Sequence, residues 1–444
     1  MKKRRIITRL FIIVVLIGLI SGGIYYQLEL LAKDDQVELE TISLTGQIVN
    51  IDDNNVVIRD NQNTTYTIDR QMIKDDLELI FSNQLTISYT GDLNGEYEIK
   101  KSKIKTTPII NGTLTDDEYQ NVITTVQNMS LEDKVGQLLL VLHTNNLATN
   151  QTYAGCVLYD ENFKNKSRNE VMMDIKEYQD SAKYPMIIAV DEEGGSVVRV
   201  SKYLRNNRFR LASEVYRYGG MDAIVSDATE KSEYLKEFGI NVNLAPVADV
   251  AINKEDYMYQ RCFSTDATTT SNYVSKVVQA MNDVKMGSVL KHFPGYGSGT
   301  GGNELYHDSR DYKEFEDNDL LSFKAGIEAK ANGILVTNNI IDCLDNQNPA
   351  TLSIKVHQLL RDELNYQGVI LSDDIDTLKD KEFGSESELA VKALKAGNDL
   401  IMTSSPQVYF EAILNAINNN EISENSLDLS VLRVIAWKQS LGII

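Results

Sequence analysis

The pattern of apolar and polar positions changes period along the chain, and each change marks a different kind of structure. From about Leu10 to Tyr26 the residues are almost uninterruptedly apolar. A run of that length is sufficient to cross a bilayer as a helix. It follows Lys2, Lys3, Arg4 and Arg5, and a basic flank of this kind stays on the cytoplasmic side and directs the rest of the chain outward. Residues 1–32 are therefore expected to form a cytoplasmic basic flank and a single-pass transmembrane anchor in the cell membrane, with everything after them extracellular. The small residues Ser21, Gly22 and Gly23 leave open a second reading, a signal peptide cleaved on export to give a secreted protein.

From 37 to 105 the pattern shifts to short runs rich in β-branched residues. They cover 46–51, 55–59, 64–68 and 85–89, and Asp52-Asp53-Asn54 and Asp60-Asn61-Gln62-Asn63 supply turn chemistry between them. This spacing predicts a small all-β module, a barrel or a sandwich. It holds no cluster suited to catalysis, so a spacer or a wall-binding role fits it. Residues 106–120, which include Pro108 and Gly112, read as a linker.

Across 121–444 short, fully apolar runs alternate with amphipathic helical stretches. The runs lie near 136–141, 155–158, 186–190, 242–245, 288–290, 333–336, 368–371 and 399–402. Strands apolar on both faces and separated by helices indicate a parallel sheet covered on both sides. About eight of them close a (β/α)₈ TIM barrel, whose active site lies at the C-terminal ends of its strands. Polar residues stand at those ends, among them Asp160, Asp191, Asp249, Lys291, His292, Asn338 and Asp373. An open doubly wound sheet is the alternative, but it calls for a glycine-rich phosphate turn after the first strand, and that position has none. The fold class expected is α/β, a TIM barrel preceded by the β module and the transmembrane helix.

Composition narrows the partners. The formal net charge is −20 at pH 7, a field that repels phosphate backbones and argues against nucleic acid. The cysteines, Cys156, Cys262 and Cys343, are far apart and lack metal-ligand spacing. They read as small buried side chains rather than a disulfide or zinc framework.

Three segments carry candidate chemistry. Val190-Asp191-Glu192-Glu193-Gly194-Gly195 ends a strand in acids and a glycine turn; Lys291-His292-Phe293-Pro294-Gly295-Tyr296-Gly297 ends another in a cation, an imidazole and a forced turn. Leu371-Ser372-Asp373-Asp374 places adjacent acids where a buried strand emerges, so that one side chain points into the barrel and the next away. Taken singly, each is also consistent with a solvated turn or a helix cap. Together with Met129-Ser130-Leu131-Glu132-Asp133-Lys134-Val135-Gly136-Gln137 they resemble the signature segments of the β-N-acetylhexosaminidase branch of glycoside hydrolase family 3, over about 121 to the C-terminus.

The resemblance implies a nucleophile at Asp373 and sugar-binding roles for Asp191, Arg199, Arg261, Lys291 and His292. A retaining hydrolase needs such a carboxylate to attack the anomeric carbon, forming a glycosyl-enzyme that water later opens. No metal or organic cofactor is needed for this. The family's acid/base, an aspartate-x-histidine dyad, has no counterpart here, because the segment from Gly297 to Asp308 contains no aspartate two places before a histidine. Three readings stay open for this loop: His307 with Asp308 or Glu304 beside it, Glu304 itself as the acid, or a site that binds glycans without turnover. The function expected is an exported, membrane-anchored retaining hydrolase that removes terminal β-linked N-acetylglucosamine, or a related hexosamine, from cell-wall glycan fragments. A catalytically impaired glycan-binding protein, or a β-glucosidase or phosphorylase of the same family, is the alternative.

Overall fold

The computed structural model describes residues 40–444 apart from short stretches, chiefly 74–76, 80–82, 106–113 and 298–304. The anchor expected over residues 1–32 lies outside the described residues. Among the described residues no helix is long and apolar enough to cross a membrane.

Strands β1 (Ile42–Ile51), β2 (Asn55–Arg59), β3 (Thr65–Asp69), β4 (Gln84–Gly91) and β5 (Tyr97–Lys105) form one antiparallel sheet in the order β3-β2-β1-β4-β5. Alternation turns Val56, Ile58, Ile68, Leu85 and Ile87 onto one buried face. The sheet curls until its edges meet, with the Asp69 N–H donating to the Tyr97 hydroxyl at 2.8 Å. The expected barrel or sandwich is thus a single rolled sheet whose edges are joined by a side chain. The fifth strand was not among the runs read from the sequence, because Lys100, Lys101, Lys103 and Lys105 mask its apolar positions. Lysines of this kind also protect an exposed sheet edge from further pairing.

A helix covers Asp116–Gln127 and corrects part of the stretch read as linker over 106–120. Its start is specified locally: Thr115 accepts the Glu118 N–H, and the Glu118 carboxylate reaches back to the Thr115 N–H, the reciprocal capping pair that satisfies two orphan donors.

The barrel strands are β6 (Leu139–Val141), β7 (Gly155–Leu158), β8 (Ile187–Val190), β9 (Val242–Asn243), β10 (Gly287–Phe293), β12 (Gly333–Val336), β15 (Val369–Ser372) and β16 (Ile401–Thr403). They pair in the parallel order β15-β12-β10-β9-β8-β7-β6-β16. A bridge between Leu371 and Leu400 brings the two ends together, leaving a nearly closed eight-stranded barrel. Strands β11 (His307–Asp308), β13 (Ile340–Ile341) and β14 (Asp345–Pro349) form a small separate sheet built from the segments that leave β10 and β12.

The register of the barrel decides which side chains reach its cavity. Val157, Ala189, Val289 and Leu371 belong to the interior cluster, whereas Leu158, Val190, Leu290 and Ile370 pack toward the helices. Two residues beyond each interior position stand Tyr159, Asp191, Lys291 and Asp373, so strand alternation turns these four into the mouth. The opposite end is plugged by Trp437, from the C-terminal helix Glu424–Ser440, which also belongs to the interior cluster. That same helix receives the β module: Arg59 lies 3.3 Å from Asp428 and 3.2 Å from Glu424.

Candidate active site

The turn after β8 carries three carboxylates with three different tasks. Glu192 is fully buried and accepts the backbone N–H groups of Arg199 and Val200 at 2.8 Å and of Ser201 at 3.2 Å. It thereby fixes the loop that returns Arg199 to the barrel. Asp191 Oδ1 lies 2.6 Å from Lys291 Nζ. Arg199 approaches the other oxygen of Asp191 at 3.8 Å, beyond hydrogen-bond range. Among the described residues the buried Arg199 Nε has no partner.

Glu193 joins the end of β10 to the loop that follows β9. Its Oε1 is 2.6 Å from both Lys291 Nζ and Arg261 Nη2, and its Oε2 accepts Arg261 Nε at 3.0 Å. Burial by itself would raise this carboxyl, but the Lys291 and Arg261 charges hold it down at about 2. Burial also opposes the two cations, yet Asp191 and Glu193 raise Lys291 above its ordinary value and Glu193 does the same for Arg261. Asp191, Glu193, Arg261 and Lys291 therefore form a compact clamp in which both cations and Glu193 are held charged.

Asp373 continues the inward row of β15. Its N–H donates to the Val336 carbonyl at 3.0 Å, and its Oδ1 accepts the Asp374 N–H at 2.8 Å. Among the described residues, backbone rather than an ion pair orients this carboxylate. Two tyrosines feel its charge together with that of neighbouring acids. Burial, then the charges of Asp191, Asp374 and Asp373, push the Tyr159 hydroxyl far above its ordinary value. Burial, then Asp373, Tyr257 and Asp249, push Tyr296 up to about 12. Each stays a protonated donor at neutral pH, and Asp191 and Asp373 share one electrostatic neighbourhood.

His292 is held by a residue given no specific task in the sequence reading. Its Nδ1 lies 2.8 Å from Asp249 Oδ2, and the other Asp249 oxygen accepts the Tyr296 N–H at 2.8 Å. A carboxylate accepts, so Nδ1 carries the proton and Nε2 is left for a further partner. The loop beyond turns at Gly297, where φ is +61° and an added Cβ would fall 2.1 Å from Asp308 Oδ2.

That contact corrects one expectation. Asp308 does not stand beside His307: it is buried and bound by Arg310 Nε at 3.1 Å and Nη2 at 2.9 Å. Arg310 in turn reaches Asp319 at 2.7 Å, so Asp308 anchors the loop. Strand alternation explains the separation, since adjacent residues of β11 face opposite ways. The partner of His307 is Asp342, 3.0 Å away on the segment after β13, and the imidazole is about half exposed. Glu304 lies outside the described residues.

The structure thus gathers Asp191, Arg199, Arg261 and Lys291 into one ionic cluster, turns Asp373 into the same barrel mouth, and holds His292 against Asp249. Sequence reasoning assigned no specific task to Glu193, Tyr159, Asp249 or Asp342. Glu193 and Asp249 were visible as acids at strand ends. Tyr159 was legible only through the inward register of β7. Among the described residues no cluster of histidine, cysteine and acidic side chains is arranged to hold a metal ion.

Comparison with known proteins identifies the family of the barrel. The profile described as glycosyl hydrolase family 3 N terminal domain matches residues 130–437. Beta-hexosaminidase A of Pseudoalteromonas piscicida is 28% identical over 323 residues, which cover 65% of this chain and 53% of that protein. A beta-hexosaminidase of Haemophilus influenzae is 29% identical over 295 residues, covering 63% of this chain and 79% of the relative. The chain thus spans about half the length of the first of these. A solved family 3 beta-N-acetylglucosaminidase from Paenibacillus superposes with a TM-score of 0.65 at 25% identity, covering 71% of this chain and 63% of the other. A beta-glucoside phosphorylase shares the fold with a TM-score of 0.68 at 18% identity, covering 75% of this chain and 62% of the other.

Proposed function

The chain belongs to glycosyl hydrolase family 3, and on that premise we propose that it is a retaining glycoside hydrolase releasing terminal β-linked N-acetylglucosamine, or a related hexosamine, from cell-wall glycans. The observation that carries the reading is Asp373, oriented by backbone and facing the cavity that holds the Asp191–Lys291–Glu193–Arg261 clamp. The clamp supplies donors and acceptors for sugar hydroxyls. Asp373 attacks the anomeric carbon as the bond to the leaving-group oxygen breaks, and that oxygen takes a proton. Water then opens the glycosyl-enzyme and gives up its own proton, which restores the acid.

His307 is the candidate for both transfers, with Asp342 in the orienting role. An imidazole whose Nδ1 is held by a carboxylate is oriented by it and keeps Nε2 for the substrate. The names carried by the relatives support a hexosamine in the glycone site. The basic and apolar run at the N-terminus supports export and a membrane tether, and fractionation of cells expressing the chain with and without residues 1–32 tests it.

One observation favours a second reading, a glycan binder without turnover: the described structure leaves His307 half exposed rather than enclosed beside Asp373. Release of an aryl group from its N-acetylglucosaminide, by wild type and Asp373→Asn, decides between them. Turnover that disappears in the variant supports the hydrolase. Sugar binding with no turnover in either protein supports the binder, and equal turnover in both removes Asp373 from the mechanism.

A further inference from the structure

A lysine occupies a core position behind the charged clamp. On the helix Ala212–Lys236 the residues Ile224, Ala228, Lys231 and Leu235 recur at spacings of four, three and four and are all buried, the stripe by which an amphipathic helix packs on its core. Apolar side chains are expected at such positions. Lys231 is nevertheless only 8% exposed, and an ammonium taken out of water is costly unless it is paired and hydrogen-bonded.

Two of its three partners belong to the turn after β8. Lys231 Nζ donates to the Glu193 carbonyl at 3.0 Å and lies 3.1 Å from Asp227 Oδ2, one helical turn earlier. It also stands 5.3 Å from the centre of the Phe209 ring, within cation–π range. Phe209 closes the same turn, because its carbonyl accepts the Gly195 N–H at 2.9 Å.

Glu193 precedes two glycines with positive φ, +116° at Gly194 and +66° at Gly195, where the chain has the most conformational freedom to lose. Its N–H is held on the loop side by the Val197 carbonyl at 3.0 Å. On the helix side a cavity of about 20 Å³ borders Glu193, Asp227, Lys231, Asn243 and Tyr273, so close packing alone does not fix its carbonyl there. The bond from Lys231 does. The side chain of this residue meets both Lys291 and Arg261 at 2.6 Å, and any shift of the peptide is carried to that carboxylate and through it to both cations.

We infer that Lys231 is a positioning residue: with Asp227 as its counter-charge, it fixes the Glu193 main chain from the outer helix and so sets the geometry in which the clamp meets the sugar. The inference rests on the reading above that the clamp holds the glycone. It adds a control point that lies behind Glu193 rather than in the mouth.

The test uses the full chain with Lys231→Met, and with Lys231→Met combined with Asp227→Asn, which leaves neither charge without its partner. In the double variant the melting temperature should return toward wild type while the sugar affinity stays low. Calorimetric titration with N-acetylglucosamine should show binding weakened by roughly tenfold in both variants. On an aryl N-acetylglucosaminide KM should rise by a similar factor with kcat near wild type, because the clamp holds the glycone in the ground state and the transition state alike. A protein that is merely less stable shows the opposite split, a lower apparent kcat at unchanged KM. That split, or wild-type affinity and KM in both variants, overturns the inference.

Hydrogen exchange in the sugar-free protein gives a second readout that needs neither binding nor turnover. The Gly194 and Gly195 amides donate to the Val197 and Phe209 carbonyls at 3.1 and 2.9 Å, and both should exchange faster in the variants, while the Ile188 amide within β8 should not change. Faster exchange at the glycines, with no sugar bound even by wild type, upholds the hold of Lys231 on Glu193 and removes the hexosamine site. Unchanged exchange at both glycines overturns the inference.

Discussion

Lys291 Nζ lies 2.6 Å from Glu193 Oε1, and Arg261 Nη2 lies at the same distance from that same oxygen. One buried carboxylate therefore bridges two cations, Lys291 on β10 and Arg261 on the loop after β9, and Asp191 supplies the second negative charge of the cluster. Glu193→Gln keeps the shape but leaves surplus positive charge out of water. Breaking a buried ionic group in this way costs about 3–5 kcal/mol, so the variant should melt well below wild type and bind sugar weakly. The pH dependence follows from the direction of the shift. Because the folded carboxyl is held down at about 2, its contribution is complete above the ordinary carboxylate range and is lost only as pH falls through that value. Melting curves at pH 5 and pH 7 should show the same deficit for Glu193→Gln, and a deficit confined to one pH contradicts this account.

The pairing of His307 with Asp342 makes a prediction that depends on the leaving group. A poor leaving group needs a proton as it departs, and positioned acid catalysis contributes roughly 10²–10⁴ in rate. His307→Ala should therefore lose activity on a disaccharide by about that factor and much less on an activated nitrophenyl glycoside. Asp342→Asn should give a smaller loss with the same leaving-group bias. Equal losses on both substrates would exclude His307 as the acid.

The two residues of this pair illustrate where the sequence stops being legible. Barrel strands were readable because a strand buried on both faces must be an uninterrupted apolar run. Asp191, Lys291 and Asp373 were singled out by the family resemblance, and the inward register of the observed strands accounts for them by alternation. Asp342 comes from a different connection than His307, through two-residue strands too short to leave a periodic trace, so nothing in local spacing joins them. Asp308 was read as the neighbour because it is adjacent in the chain, yet adjacency on a strand is what sends it to the other face. Strand β5 was hidden by its lysines, and Tyr159 looked like one more apolar strand end. Its neighbour Asp160 drew attention as the polar strand end, although it is engaged by Lys202 and by the Tyr203 hydroxyl.

Tyr159 is the side chain whose role follows most directly from that register. It is level with Asp191 because Leu158 pairs with Val190, and its hydroxyl is held protonated beside Asp191, Asp374 and Asp373. A phenol fixed among carboxylates at the barrel mouth is a donor. Tyr159→Phe removes only that donor, so the melting temperature should change little. A hydrogen bond to a charged group is worth about 1.5–3 kcal/mol, so kcat/KM should fall by roughly one to two orders of magnitude. Steady-state kinetics on one glycoside checks this, and wild-type kinetics in the variant would place the hydroxyl outside the reaction.

At the closed end of the barrel, Lys438 sits fully buried beside Trp437, with its Nζ 2.7 Å from Gln137 Oε1. No carboxylate is paired with it among the described residues, and burial pulls it from the ordinary lysine value down to about 7. The unfolded chain therefore holds a proton that the folded chain releases between about pH 7 and the ordinary lysine range, and stability rises with pH across that window. Below pH 7 the folded protein carries the full cost of a buried ammonium. Lys438→Met removes the charge while leaving Gln137 Oε1 without this donor, a loss of about 1–3 kcal/mol that does not depend on pH. The melting temperature of the variant relative to wild type should therefore be highest near pH 6 and decline steadily toward pH 10. A difference that is flat, or that grows with pH, would mean that the ammonium finds water or a counter-charge in solution.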